Sequence, residues 1–566
     1  MRITTAAALL STAALAACAA PQTDVVTSAA SPEPVTLQIL AINDFHGNLE
    51  TPQSATTWLD NGEEHRARLG GAGALAGTLG TLRSENSVTV AAGDLIGASP
   101  LISALFLDEP AIDVLSEMGL DIASVGNHEF DRGTDELRRI QDGGCEQFTL
   151  KQPCAIGRFE GAGFSYLAGN VVSEDGASFF PGTMIQEMDG AQIGFIGLTL
   201  EGTPNLVSAQ ATEGYDFLDE ADTANRLAAE LRAQGADAVV LLLHEGANVD
   251  PRFNIAGCPS LNGSVVPIIE RLDPSISLVV SGHTHQAYVC NVTSAAGHDV
   301  LLTSGGRYGG FVTDITMVVD PANDRVLSLD GRNVPVDGSM GTNATVDAIV
   351  SRAAEASGPV ANRAVGPISD SGERGENCGD RPAQDFVADA YLFAANAGLD
   401  FPADVAFTNS GGVRSNLDSA RDGVMTFGEL AAMAPFGNSV IVLEMTGSEI
   451  RNVLEQQFCE ENGQIGICDS VLIPSAGMAY SVDQGAVLGS RIASMTLNGE
   501  PIDDARTYRV VTNNFLVGGG DGFEQFSQVS QIANVGFDID ALEAYVATGT
   551  VSVPVCGRVQ NVSPRN

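Results

Sequence analysis

Short apolar runs alternate with helix-length amphipathic segments through the first half of the chain. Runs at 35–42, 88–92, 122–125, 193–198, 238–243 and 278–281 are brief, β-branched or Leu-rich, and predict buried strands. Segments between them, such as 221–233, carry apolar residues at helical spacing. The alternation predicts layered α/β packing. From 345 to 356 the pattern turns helical and then meets Gly358-Pro359, which marks a link between two halves. The second half mixes strands (440–445, 509–512) with helices. In the best marked of these, Thr446 and Glu449 stand at capping-box spacing, and Ile450, Val453, Leu454 and Phe458 form an apolar stripe that reads as core. No internal repeat is visible.

The polar residues fall where the apolar runs stop. The first run leads into Asn43-Asp44-Phe45-His46-Gly47-Asn48, and 88–92 leads into Gly93-Asp94. Next, 122–125 leads into Gly126-Asn127-His128-Glu129-Phe130-Asp131, the run ending at Leu243 leads into His244-Glu245, and 278–281 leads into Gly282-His283-Thr284-His285. Sites in α/β sheets form at the carboxyl ends of strands. The chain has 7 histidines, and five of them (His46, His128, His244, His283, His285) lie at these strand ends. One such histidine is ordinarily a satisfied core or surface residue. Five of them, accompanied by Asp44, Asp94 and Asn127, call for a common cause. Imidazole with carboxylate and amide oxygen suits borderline divalent metals such as Zn, Mn or Fe. The set exceeds what one ion needs, and two ions about 3.5–4 Å apart, bridged by one carboxylate, would use it well.

Composition then narrows the setting. At 566 residues the chain is long enough for two large domains, and 44% hydrophobic residues suffice for real cores. The net charge of −43 argues against a surface that holds DNA or RNA non-specifically, so no stable nucleic-acid partner is expected. Arg2 precedes an Ala-rich apolar run, and Leu15-Ala16-Ala17 leads into Cys18, as in a bacterial lipoprotein signal; an ordinary cleaved signal is the alternative. Residues 19–34, rich in Ala, Ser, Pro and Thr, read as a flexible tether. The expected location is the periplasm or cell envelope, with a lipid on Cys18 as the membrane attachment. Of 9 cysteines, Cys18 aside, eight remain. Cys145/Cys154 and Cys459/Cys468 suit local disulfides in an oxidising compartment, which leaves Cys258/Cys290 and Cys378/Cys556 as the other pairs.

The series DxH, GD, GNHEFD, H and GHTH resembles the calcineurin-like metallophosphoesterases, and more narrowly the exported 5′-nucleotidase and UDP-sugar hydrolase family. The resemblance implies an α/β fold: a four-layer α/β/β/α metallophosphoesterase domain, a linker helix, and a second mixed α/β nucleotide-binding domain. On this chain that divides into a signal peptide at 1–17, the tether at 18–34, the metallophosphoesterase domain at 35–340, the linker helix at 341–360 and the substrate-binding domain at 361–566. It implies that Asp44, His46 and His285 hold one divalent ion, that Asn127, His244 and His283 hold the other, and that Asp94 bridges them. His128 would contact the substrate phosphate, with Asp131 orienting its ring. Asn48 lies near the phosphate or serves the turn after Gly47.

The second half matches as well. Thr408-Asn409-Ser410-Gly411-Gly412-Val413-Arg414, Pro435-Phe436-Gly437-Asn438 and the stretch from Asn513-Asn514-Phe515 to Gly519-Gly520-Asp521-Gly522-Phe523 resemble the family's substrate-binding loops. The likeness implies that Phe436 and Phe515 sandwich a base, Asp521 bonds the ribose, Asn409 bonds the base, and Arg414 clamps a phosphate or carboxylate. Where many members have further arginines, this chain offers Arg374 and Arg381. The family's domain rotation implies a hinge in or beside 345–359. The expected activity is hydrolysis of nucleoside 5′-monophosphates. 2′,3′-Cyclic phosphodiesterase with 3′-nucleotidase action, and UDP-sugar hydrolysis, are close rivals. An extracellular nuclease or a non-catalytic surface nucleotide-binding protein is further off.

Overall fold

Two six-stranded sheets stacked face to face make the frame of the first half of the protein. The computed structural model describes residues 33–560 except 250–252, 296, 370–379, 418–422, 462–463, 469 and 550. Arg374, Cys18, Cys378, the signal and most of the tether lie outside the described residues.

In the first sheet Val35–Ile42, Ser87–Ala92, Ile122–Ser124 and Ser165–Leu167 run parallel, with Phe311–Asp320 and Arg325–Pro335 antiparallel on the Val35–Ile42 side. In the second, Ala191–Thr199, Ala238–His244, Ile276–Ser281 and Asp299–Gly305 run parallel between antiparallel edges Thr183–Met188 and Ala287–Thr293. Alternate residues explain the stacking. Leu37, Ile39, Ala41, Val88 and Val90 of the first sheet meet Ile193, Phe195, Val240, Leu242 and Leu278 of the second. The opposite faces of the same strands bury Leu40, Ile42 and Ala91 under helices Ala72–Leu82 and Glu109–Glu117. Ile196, Leu241 and Leu243 lie under helix Glu220–Ala233. Buried on both faces, the central strands are predominantly apolar, as parallel strands in α/β layers are. The result is the expected α/β/β/α sandwich.

Helix Ala344–Ala361 continues through Gly358 and Pro359; the proline falls in the final turn, where Asn362 N still donates to Gly358 O at 2.9 Å. Its Val346 and Ala353 join the first domain's outer core. The second half centres on a five-stranded sheet in the order Leu472–Pro474, Val405–Asn409, Thr507–Asn513, Ser439–Thr446, Ser530–Phe537. Helices Pro382–Gly398 and Asp538–Ala547 cover one face, and helix Gly447–Glu455 covers the other. Thr446 caps as its sequence predicts: its Oγ1 accepts from Glu449 N at 3.2 Å, and Glu449 Oε2 accepts from Thr446 N at 2.7 Å. The stripe ends one residue group earlier than expected, because Phe458 belongs to strand Phe458–Glu461, though it fills the same core. Cys145 and Cys154 are disulfide-bonded, Cys258 and Cys290 are in contact, and Cys459 and Cys468 sit at the base of the hairpin Phe458–Glu461/Gln464–Ile467.

One buried carboxyl in helix Pro382–Gly398 sets a pH dependence. Neither oxygen of Asp385 meets an N–H or O–H donor among the described residues, and the nearest cation atom, Arg558 Nε, is 3.8 Å away because that guanidinium pairs with Asp389. Burial pushes the Asp385 carboxyl up to about 8 against the pull of Arg558. A raised carboxyl pKa means that the folded chain holds its proton more tightly than the unfolded chain. Stability therefore falls as pH rises from the unfolded value near 3.8 through about 8. Asp385→Asn is expected to raise the melting temperature above wild type at pH 9 and by clearly less at pH 5. Thermal unfolding at the two pH values checks this, and an equal shift at both counts against it.

Candidate functional site

The polar residues that end the parallel strands of both sheets converge on one point. Asp44 and His46 follow Val35–Ile42, Asp94 follows Ser87–Ala92, and Asn127 follows Ile122–Ser124. His244 ends its strand, while His283 and His285 follow Ile276–Ser281. Two groups result. In one, His46 Nε2 lies 3.0 Å from His285 Nε2 and 3.9 Å from Asp44 Oδ1, and His285 Nε2 lies 3.3 Å from the same oxygen. In the other, His244 Nε2 lies 3.1 Å from Asp94 Oδ2 and 3.1 Å from Asn127 Oδ1, which is also 3.1 Å from His283 Nδ1. Asp94 Oδ2 faces both groups, since it is also 3.5 Å from His46 Nε2. Its other oxygen is taken by the backbone N–H of His128 at 2.9 Å.

The tautomers follow from the partners. His46 Nδ1 lies 2.9 Å from Gly97 O and His244 Nδ1 lies 2.8 Å from Ala92 O. Carbonyl oxygens only accept, so each Nδ1 carries a proton and each Nε2 faces inward as the atom free to ligate. Asn43 Nδ2 donates to Asp44 Oδ2 at 2.6 Å, and His283 N donates to both Asp44 oxygens at 3.1 Å. Burial holds His46 well below the usual imidazole range and lowers His283 to about 4, which keeps both in the neutral, ligating form. Burial would raise Asp94, but His244 and His128 hold it well below the usual carboxylate range. Asp94 in turn outweighs burial at His244, raising it to about 10. Imidazole nitrogens, an amide oxygen and buried carboxylates converging in this way form a donor set that fits divalent cations, which would take the place of the proton that Asp94 favours on His244.

The backbone is strained to achieve this. Asp44, His46, Asp94, His283 and His285 all adopt positive φ, from 47° to 68°. Non-glycine residues rarely do so, and each such position costs about 1–3 kcal/mol. The surrounding loops must therefore over-determine the site.

Beside it, His128 Nδ1 lies 3.0 Å from both Asp131 oxygens. Burial lowers its pKa, but Asp131 and Asp94 more than compensate, so the imidazole titrates above its ordinary value. His128 and Asp131 line a cleft of about 540 Å³ whose far wall belongs to the second half of the chain. There Asn409, Arg414, Phe436, Phe515 and Asp521 line the same cleft, and Asn409 Nδ2 donates to Asp521 Oδ2 at 2.7 Å. The Phe436 ring stacks on the His128 ring, with centroids 5.7 Å apart at 17° between planes, and the Arg414 guanidinium stands 5.9 Å from the centre of the Phe436 ring.

Two expected residues do not join this cluster. Arg381 is not among the cleft-lining residues; it is exposed and precedes helix Pro382–Gly398, where its backbone N–H donates to Gln384 Oε1 at 3.0 Å. Asn48 closes a turn, its amide donating to Phe45 O and His46 O at 3.0 Å each. Sequence reasoning passed over Asn43 and Glu129. Both stand inside the strand-end motifs, so position alone flags them, but their hydrogen bonds run to distant segments and leave no mark in the local pattern.

Residues 37–287 match the family model described as calcineurin-like phosphoesterase, and residues 357–528 match that of the 5′-nucleotidase C-terminal domain. A cell wall protein of Listeria monocytogenes is 32% identical over 92% of this chain and 68% of its own length. An endonuclease of Bacillus subtilis is 27% identical over 86% of this chain, which spans only 37% of that relative's length. The crystal structure of a 5′-nucleotidase precursor from Thermus thermophilus shares the fold, with a TM-score of 0.72 at 22% identity over 94% of this chain and 100% of its own.

Close approach at Gly126 offers a direct test of the geometry. A Cβ there would lie 2.2 Å from Asp94 Oδ1 and 2.4 Å from Asp94 N. Gly126→Ala is expected to displace Asp94 at a cost of about 1–3 kcal/mol of folding stability, the usual range for overpacking, and to reduce bound divalent metal. Elemental analysis of the purified variant beside wild type reads the second effect, and unchanged metal content would contradict it.

Proposed function

The chain belongs to the 5′-nucleotidase family of metal-dependent phosphoesterases, with a calcineurin-like phosphoesterase domain followed by a 5′-nucleotidase C-terminal domain, and from that premise we propose that it is an exported hydrolase of nucleoside 5′-monophosphates. One observation carries the reading: Asn127 and His283 of one donor group, His128 beside them, and a pair of phenylalanines from the other half of the chain line a single cleft of nucleotide size.

In this proposal Asp44, His46 and His285 hold one divalent cation, Asn127, His244 and His283 hold the other, and Asp94 serves both. Such a pair supplies a deprotonated water as nucleophile and neutralises phosphoryl charge. The protein's own groups do the rest. His128, oriented by Asp131, donates to the phosphoryl oxygens as their charge builds. Arg414 clamps the phosphate from the facing wall. Phe436 and Phe515 hold the base by its faces, and the paired Asn409 and Asp521 meet the base edge and ribose. Export is supported by the N-terminal apolar run with Cys18 as a lipid-attachment residue and by the Cys145–Cys154 disulfide, which suits an oxidising compartment. No described helix is long and apolar enough to cross a membrane.

Phosphodiester cleavage is the second reading, favoured by the likeness to the B. subtilis endonuclease. The net charge of −43 opposes it for long nucleic acids. A phosphate-release panel of AMP, other 5′-nucleotides, 3′-AMP, 2′,3′-cyclic AMP, UDP-glucose and DNA, with metals added back singly, separates the readings. AMP is expected to be among the best substrates, and a strong preference for a non-nucleotide would overturn the proposal. Asp94→Ala is expected to abolish turnover; activity that survives it, or survives thorough chelation, sinks the two-metal assignment.

The base clamp has its own test. Phe515 is the cleaner target because Phe436 also touches His128. Stacking on an aromatic side chain contributes about 1–3 kcal/mol per base. Phe515→Ala should therefore raise KM for AMP by roughly ten-fold or more, while p-nitrophenyl phosphate, which has no base, is hydrolysed as before. Equal losses on both substrates would remove Phe515 from base recognition.

A further inference from the structure

The loop 93–98 carries Asp94 between the two donor groups, and each of its five amides from Asp94 to Ala98 donates to a side-chain carboxylate. Asp94 N and Leu95 N donate to Glu129 at 2.9 and 2.7 Å, and Ile96 N reaches it at 3.4 Å. Gly97 N donates to Asp108 Oδ2 at 3.3 Å, and Ala98 N donates to Asp131 Oδ2 at 3.1 Å. The same segment offers its carbonyls to the other ligand loop. Asp44 N donates to Gly93 O at 3.1 Å, His46 N to Asp94 O at 2.9 Å and Gly47 N to Leu95 O at 3.0 Å, while His46 Nδ1 meets Gly97 O.

Glu129 is the centre of this arrangement. It is 3% exposed, and besides the three loop amides it accepts from Gly126 N at 2.6 Å and from Tyr166 OH at 3.3 Å. Every contact is an N–H or O–H donating to it, the pattern of a carboxylate used as an acceptor on both oxygens. Burial and the nearby Asp94 push its carboxyl up to about 7, and the backbone donors oppose them. Gly126 N belongs to the segment that carries Asn127. One buried side chain thus ties the Asp94 loop to the Asn127 loop, and through the Asp94 loop to Asp44 and His46.

We propose that Glu129 is a positioning residue for the metal centre: through backbone amides it fixes the Asp94 loop against the Asn127 loop, and through the carbonyls of the Asp94 loop it sets the place of Asp44 and His46. The strain at Asp94 gives the reason. A loop held at φ 50° relaxes unless its amides are anchored, and the relaxed loop would withdraw Asp94 Oδ2 from one donor group or the other. Asp131 adds a second link, since the carboxylate that orients His128 also holds Ala98 N.

The inference rests on the two-metal reading, and its test separates the two. The full chain is stripped of metal and titrated with Mn²⁺ by calorimetry, for wild type, Asp94→Ala and Glu129→Gln; melting temperatures are taken with and without Mn²⁺. The amide of glutamine turns a donor toward backbone donors. Outer-shell substitutions commonly weaken metal binding or activity 10–100-fold, and a loss of that size in Mn²⁺ affinity is expected for Glu129→Gln. The gap between loaded and metal-free melting temperatures should narrow, and kcat lost at low Mn²⁺ should largely return at saturating Mn²⁺, with KM little changed. Wild-type Mn²⁺ affinity, or equal lowering of both melting temperatures, overturns the proposal. If Asp94→Ala binds Mn²⁺ as wild type does, the metal reading itself has failed. Should Glu129→Gln not fold, Glu129→Asp, which keeps the charge and shortens the reach, is read by the same titration against the same outcomes.

Discussion

One oxygen of Asp94 faces histidines delivered by different sheets, 3.5 Å from His46 Nε2 and 3.1 Å from His244 Nε2. Bringing so many lone pairs and buried charges to one point is unfavourable for a bare chain, because each loses water and gains neighbours of its own sign. The arrangement holds only if the two sheets stay in register relative to one another. The apolar layer between them, from Leu37 and Val90 on one side to Phe195 and Leu242 on the other, supplies that constraint. The sandwich thus fixes the strand ends, and the strand ends fix the donors.

The strand-end chemistry was legible in the sequence because it is local. Each apolar run is followed at once by its Asp, Asn or His, and the sheets do nothing more than align those ends. Layered α/β packing was legible for the same reason, since the central strands are mostly apolar, whereas the count of four layers was implied by the family resemblance. The outward course of Arg381 was not legible: a charged residue before a helix reads alike whether it faces a cleft or solvent. The linker helix expected at 341–360 appears as Ala344–Ala361, and Pro359 is tolerated because in a last turn proline gives up a single bond. Glu129 was visible within its motif, yet its function lies in amides about 35 residues earlier, which no periodicity reveals.

Among the contacts between the two halves of the chain is an aromatic one beside the donor groups. Phe436 lies flat on His128, whose own ring is oriented by Asp131, whose oxygen also holds the loop of Asp94. A shift of the second domain would therefore be felt first at His128. The helix Ala344–Ala361 packs against the first domain's outer core through Val346 and Ala353, so any proposed hinge has to lie toward its C-terminal end or beyond. Placing the flexible point there would let the base-facing wall swing while leaving both donor groups untouched.

Charge gives the last constraint on how such a site can work. An acidic protein of net charge −43 repels an anionic substrate at long range, although salt screens that repulsion beyond about 10 Å. Within the cleft the balance must reverse. Arg414 is the cation among the side chains lining it, and its charge also bears on His46 and His128. Even with His128 and His244 protonated, Arg414 does not offset Asp44, Asp94, Asp131, Glu245 and Asp521 together with an incoming phosphate dianion. Two divalent cations would, and they would do so where the carboxylates already converge. On this argument the donor groups are what make the cleft hospitable to a phosphate at all, and base recognition by the facing wall can select among nucleotides only after that charge has been neutralised.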